Sequence, residues 1–158
     1  MAKQIKQRQL PTGINRLFFR APIWFYRLGL GGAMGSKFLL LNHVGRKSGL
    51  PRQAVLEVVI HEKETNTYYV SAGFGPKTQW LRNLKAQPDV SIQVGRRKWD
   101  VHAEMLTPEQ SGEIFRRFAE NNRMAATYAK ALGFEVNGTL DDYYDMGTMM
   151  IFIAFRPR

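Results

Sequence analysis

Cysteine is absent from the 158 residues, which removes disulfide frameworks, zinc–thiolate sites, iron–sulfur clusters and cysteine nucleophiles together. Histidine is scarce: His43, His61 and His102 fall in separate strand-like segments without metal-ligand spacing, so no metal site is expected. No apolar run reaches the roughly 20 residues needed to span a bilayer. The start, KQIKQRQ from Lys3, is not a charged cap followed by an apolar signal core, so a cytoplasmic protein is the expectation. Acidic residues are the other shortage. Thirteen Asp+Glu against 23 Lys+Arg leave a formal charge of +10, which points to an anionic partner. Nucleic acid, anionic lipid and a polyanionic small molecule each satisfy the charge alone.

The length suits one domain able to bury a core unaided. Residues 1–12 are basic and polar and read as a tail, with residues 13–158 as the domain. After Gly13, Leu17, Phe18, Ile23, Trp24, Phe25, Leu28 and Leu30 interleave with Arg16, Arg20 and Arg27, in two helical turns broken near Pro22. Two readings stand: a helix packed over the open side of the core, or an interfacial anchor at a lipid headgroup boundary.

Further along, Phe38–Val44, Gln53–His61, Thr67–Ala72, Val90–Val94 and Lys98–Met105 read as strands, with Thr148–Phe155 closing the set. KTQWLRNLKAQ, after Pro76, makes a short helix ended by Pro88. Thr107-Pro108-Glu109-Gln110 predicts a helix start, with Thr107 as N-cap and Gln110 completing a capping box. A second helical stretch ends near Gly133. About six strands with flanking helices give a mainly β, α+β fold and suggest a small barrel rather than a doubly wound sheet.

The strongest local signal is Gly45-Arg46-Lys47-Ser48-Gly49-Leu50-Pro51-Arg52, directly between two strands. Glycines that free backbone N–H groups, three cations and a hydroxyl suit a phosphate. A solvated basic hairpin would have the same composition. Ser71 to Trp80 joins a strand to a helix through small residues that let a planar ligand approach, and Trp80 could line a ring site. Its plain alternative is a glycine-rich connection beside a core tryptophan. Other candidates fail. Gly29-Leu30-Gly31-Gly32-Ala33-Met34-Gly35 lacks the G-x-G-x-x-G spacing and a preceding strand, Gly35-Ser36-Lys37 reverses the P-loop order, and His61-Glu62-Lys63-Glu64 lacks a second histidine. Asp141, Asp142 and Asp145 have no visible partner for acid–base chemistry and read as structural.

LLNHVGRKSGLPR followed by YYVSAGFGPKTQWLRNLKAQPDVSIQVGRRKWDV resembles the deazaflavin (coenzyme F-420)-dependent nitroreductase and quinone reductase family. The resemblance covers about residues 13–156, with a weaker fit after Thr107. The W-x-x-N-L-x-A-x-P pattern is present in full as Trp80, Asn83, Leu84, Ala86 and Pro88. The resemblance implies a split β-barrel of the flavin-reductase and pyridoxamine-oxidase type. It also implies that Arg46, Lys47, Ser48 and Arg52 hold the cofactor's phosphate and glutamate tail. Gln53, Ala54, Val55, Leu56 and Glu57 would run beside the cofactor. Ser71, Ala72, Gly73 and Phe74 would meet the ring, with Gln79, Trp80, Leu81, Arg82 and Asn83 closing the other side. Tyr128, Tyr143 and Tyr144 are the candidates for the acceptor pocket and for stabilising charge on the substrate.

Two departures stand out: His43 takes the place of a hydroxyl residue, and Gly147-Thr148-Met149-Met150-Ile151 replaces the family's C-terminal pattern. The implied activity is reduction of a quinone, nitro-aromatic or similar electron-poor small molecule by hydride from reduced coenzyme F-420, with no dedicated protein nucleophile. Alternatives are an FMN-dependent oxidoreductase on the same barrel, a non-catalytic basic barrel stacking nucleic acid on Trp99, Tyr68 and Tyr69, and a peripheral membrane module using the N-terminal segment. Nucleic acid is not the expected partner, because these aromatics alternate within strands.

Overall fold

A computed structural model describes residues 2–4, 23, 26 and 35–158. In chain order its elements are β1 (Lys3–Gln4), β2 (Phe38–Val44), β3 (Pro51–Glu57), β4 (Ile60–Glu62), β5 (Thr67–Ser71), α1 (Gln79–Ala86), β6 (Asp89–Val94), β7 (Arg97–Met105), α2 (Pro108–Glu120), α3 (Ala125–Ala131), β8 (Phe134–Glu135), α4 (Leu140–Thr148) and β9 (Phe152–Pro157). Most of the expected helical turns around Pro22, and residues 5–12 of the expected tail, lie outside the described residues. Lys3 and Gln4 pair with Glu135 and Phe134 as a two-stranded ribbon, and Ala2 is buried.

Seven strands form one antiparallel sheet in the order β3-β2-β6-β7-β9-β5-β4. The sequence suggests one strand over Gln53–His61, but the chain divides there into β3 and β4. Val58 N–H donates to Lys37 O, next to β2, whereas Val59 N–H donates to Tyr69 O on β5. Those two residues carry the chain from one end of the sheet to the other. The ends of the sheet are therefore consecutive in sequence, and the sheet curls into a split barrel.

Period-two alternation sends side chains to two faces. Leu39, Leu41, Val70, Ile92, Val101, Ile153 and Phe155 fill the barrel interior. From the other face Tyr69, Phe152 and Ala154 pack against α2 to α4. Ile23 and Tyr26 are buried with Leu40, which puts part of the N-terminal aromatic segment on the sheet. No helix among the described residues is long and apolar enough to cross a membrane.

Helix α2 starts as its sequence predicts: Gln110 N–H donates to Thr107 Oγ1 at 3.2 Å, and Thr107 N–H to Gln110 Oε1 at 2.9 Å. Helix α4 was not expected, and the closing strand begins at Phe152 rather than Thr148. Thr139 caps α4 by accepting from Asp142 N–H, and Asp141 and Asp142 occupy its first turn, where carboxylates favour a helix. The aspartate pair that had no chemical partner in sequence is a helix start.

Candidate functional site

The β2–β3 connection is closed by two backbone bonds, Gly45 N–H to Leu50 O at 2.9 Å and Gly49 N–H to Gly45 O at 2.8 Å. Gly49 has φ +69, in the left-handed region. A Cβ on Gly45 would stand 2.5 Å from Ser48 Oγ, so the loop folds over its first residue. Ser48 Oγ accepts from Leu50 N–H at 3.2 Å and keeps its own hydroxyl hydrogen to donate.

Arg46 ties this loop to α1. Its backbone N–H donates to Asn83 Oδ1 at 3.1 Å, and Nη1 donates to the same oxygen at 2.9 Å and to Gln79 Oε1 at 3.0 Å. Asn83 is buried on the inner side of α1, and its Nδ2 lies 3.1 Å from Nδ1 of His43. His43 is itself buried and pairs across the strands with Arg52. Burial first, and then the Arg52 charge, push the imidazole pKa down from 6.5 to about 4. Sequence reasoning noticed His43 only as a departure; nothing in the strand pattern foretold its bond to Asn83, 40 residues on.

The described ion pairs engage Asp89, Glu104, Glu113 and Glu120 with His102, Arg158, Arg156 and Arg116. None of them involves Arg46, Lys47 or Arg52. Lys47, Ser48 and Arg52 are exposed, so charge and donors face outward from a held loop.

The other expected residues divide by face. Gln53 donates from Nε2 to Asn42 Oδ1 at 2.9 Å, and Val55 packs with Leu40, Ile23 and Tyr26. Ala54 and Leu56 point into the barrel interior, and Glu57 is exposed. On α1, Gln79 and Arg82 are exposed, Leu81 is fully buried and Trp80 packs partly on the interior core. Thr78 does not cap this helix; its hydroxyl donates to Gly75 O at 2.7 Å.

At the end of β5, Ser71 Oγ lies 3.3 Å from Tyr128 OH. Of the three candidate tyrosines, Tyr128 is the one hydrogen-bonded to the Ser71–Phe74 stretch. Tyr143 is buried in the helical core with its ring centroid 6.0 Å from that of Phe115, and Tyr144 lies against Gly112 of α2. Beside Ala72 and Gly73, a cleft of about 60 Å³ is lined by Leu132, Phe134, Met149 and Met150. Met149 and Met150 stood out in the sequence only as a departure from the family's pattern, and Leu132 and Phe134 not at all, because the ends of α3 and α4 and strand β8 bring the four together from distant segments. A larger cavity of about 230 Å³, lined by Arg117, Phe118 and Asn121, contains none of the expected residues; the chemistry-bearing groups converge elsewhere. Tyr68 and Tyr69 are buried, and Tyr68 is stacked on His61 at 3.9 Å, which removes both as stacking surfaces for nucleic acid.

Comparison with known proteins bears on this arrangement. The sequence model of the F420H(2)-dependent quinone reductase family matches residues 19–136. Protein Rv3178 of Mycobacterium tuberculosis is 31% identical over 91 residues, spanning 58% of this chain and 76% of that protein. The F420H(2)-dependent quinone reductase Rv1261c of the same organism is 30% identical over 105 residues, spanning 60% of this chain and 68% of the relative. Among solved structures, an F420-H2 dependent reductase, FDR-A, superposes with a TM-score of 0.51 at 24% identity, covering 76% of this chain and 94% of that one. That likeness is one of fold.

Proposed function

The chain belongs to the F420H(2)-dependent quinone reductase family, and from that membership we propose that it is an oxidoreductase that uses reduced coenzyme F-420 to reduce a quinone, nitro-aromatic or similarly electron-poor acceptor. The observation that carries the site reading is the Arg46–Asn83 tie, which holds a loop of cations in place with no carboxylate paired to them among the described residues. An anionic tail of phosphate and glutamates fits that loop: Arg46, Lys47 and Arg52 offer charge and Ser48 a hydroxyl, which a Cβ on Gly45 would push out of its place.

When bound, the deazaflavin supplies the hydride. The protein's part is to orient and to exclude water. Ser71 to Gly73 present small residues to a ring, and Leu132, Phe134, Met149 and Met150 make the adjoining cleft apolar. With Ser71 donating across the Ser71–Tyr128 contact, Tyr128 can give its hydroxyl hydrogen to an acceptor oxygen as that oxygen gains negative charge. Residues 13–158 form the cofactor-binding unit in this reading, with the basic segment 1–12 preceding it.

Titration of the protein with F-420 and separately with FMN, followed by absorbance and fluorescence, tests the cofactor. Saturable, preferential binding of F-420 is expected, and reduced F-420 with menadione should regenerate the oxidised chromophore. Turnover only with FMN and NADPH would replace this reading with the flavin one.

A further inference from the structure

The Asn83 amide has an orientation that its partners decide. Arg46 brings two groups to it, a backbone N–H and Nη1, and neither can accept a hydrogen bond. The amide oxygen must therefore face Arg46, which leaves Nδ2 towards His43 Nδ1 at 3.1 Å. Nδ2 only donates, so Nδ1 of His43 must be an unprotonated acceptor, and the imidazole proton resides on Nε2. A charged imidazole would set N–H against N–H here, with Arg52 directly across the strand pair.

We propose that His43 is a positioning residue for the cofactor-holding loop, acting through the Asn83 amide to fix where the Arg46 backbone and guanidinium stand. The inference rests on the reading of that loop as the holder of an anionic cofactor tail. Its physical basis is the cost of a buried donor without a partner. If Nδ1 is removed, Asn83 Nδ2 is stranded on the inner side of α1, and the amide relieves this only by turning away from Arg46. Arg46 then loses two of its three described bonds at once, and the loop must be ordered by the ligand when it binds. Neighbours on the same face of β2, Leu39 and Leu41, are apolar and offer Asn83 no substitute acceptor.

Measurements of tautomer, affinity and rate test this. In the ligand-free parent protein at pH 7, imidazole ¹⁵N shifts should show His43 neutral, with Nδ1 bare and Nε2 protonated; a proton on Nδ1 overturns the inference. Affinity for F-420 should fall about tenfold in His43→Phe, the size of loss expected when a buried donor is stranded. His43→Asn, which returns an acceptor oxygen near the Nδ1 position, should recover to within about twofold. The chemical step should keep its rate, so the effect falls on KM and not on kcat. In an Arg46→Ala background the same His43→Phe change should cost nothing further. An equal loss in that background would mean that His43 acts on the fold and not through Arg46, and would overturn the proposal. If the parent itself fails to bind F-420, the cofactor reading fails; the tautomer, and hydrogen exchange of the Arg46 backbone N–H, slow in the parent through its bond to Asn83 and faster in His43→Phe, then decide the positioning claim alone. Should His43→Phe not fold, the tautomer in the parent and the recovery in His43→Asn still decide it.

Discussion

Lowering the pH from 7 towards 4 should destabilise this protein through His43 specifically. Burial, and then the Arg52 charge, hold the folded-state pKa at about 4, against 6.5 for an ordinary imidazole. In the unfolded chain His43 takes up a proton as the pH falls through about 6.5, while in the folded chain it stays neutral until about 4. The unfolded state thus binds more protons across that window. Stability from this group is complete above the unfolded value and is lost progressively as the pH drops to the folded one. A difference of about 2.5 pH units at about 1.36 kcal/mol each gives about 3 kcal/mol, a large part of a typical stability of about 5–15 kcal/mol. Urea unfolding of the parent and of His43→Asn at steps between pH 7 and pH 4 isolates the effect, because every other titrating group is common to both. The parent should lose about 3 kcal/mol more than the variant over that range. Parallel stability curves would refute the account of a neutral, buried imidazole beside Arg52.

Arg46→Ala combined with Lys47→Ala should weaken F-420 binding by well over tenfold, since each charge-assisted bond contributes about 1.5–3 kcal/mol; fluorescence titration reads this, and unchanged affinity would displace the tail from the loop. Gly147→Ala should destabilise by about 1–3 kcal/mol in thermal or urea unfolding, because a Cβ there meets Ser111 O at 2.6 Å and Gly112 Cα at 2.7 Å, both backbone atoms of α2. Thr107→Ala should cost about 1 kcal/mol in urea unfolding by removing a made N-cap. Thr78→Ala at the start of α1 should leave the helix cap unaffected, since that hydroxyl serves Gly75 O instead; hydrogen exchange of the first α1 amides separates the two cases.

Local chemistry was legible in the sequence, and contacts across the chain were not. The Thr107 capping box and the GRKSG turn between two strands lie within a few residues of one another, so their patterns survive as written. Gln53–His61 is uniformly strand-like, and nothing in its composition says that the hydrogen-bonding partner changes between Val58 and Val59; that exchange belongs to barrel closure. Helix α4 was masked by its own composition. Tyr143, Met146 and Gly147 lie on its buried side, but the adjoining Thr148–Phe155 run looked like a strand throughout. The close approach of α2 and α4 depends on Gly112 and Gly147 meeting, which neither glycine announces alone. The tyrosines show the same limit. Tyr128, Tyr143 and Tyr144 are alike in sequence; the rings of Tyr128 and Tyr143 both stand 6.0 Å from that of Phe115, and the hydroxyl contact of Tyr128 to Ser71 and the deeper burial of Tyr143 are what separate them.

The choice of an amide at position 83 follows from what the loop has to do. An aspartate in its place would grip Arg46 more strongly, but it would also cancel the charge meant for a ligand. Asn83 and Gln79 hold the guanidinium with neutral oxygens, so position is fixed while the field of Arg46 stays available. The same reasoning governs the next residue inward. His43 must accept from Asn83 without adding a positive charge behind Arg46 and beside Arg52, and of the two imidazole states the neutral one does this. The carboxylate that follows Asn83 in the chain, Asp89, is turned to His102 and Arg158. Arg46 is thus held by neutral groups backed by a second neutral group, an arrangement that orders a cation without neutralising it and leaves the anion to be supplied from outside.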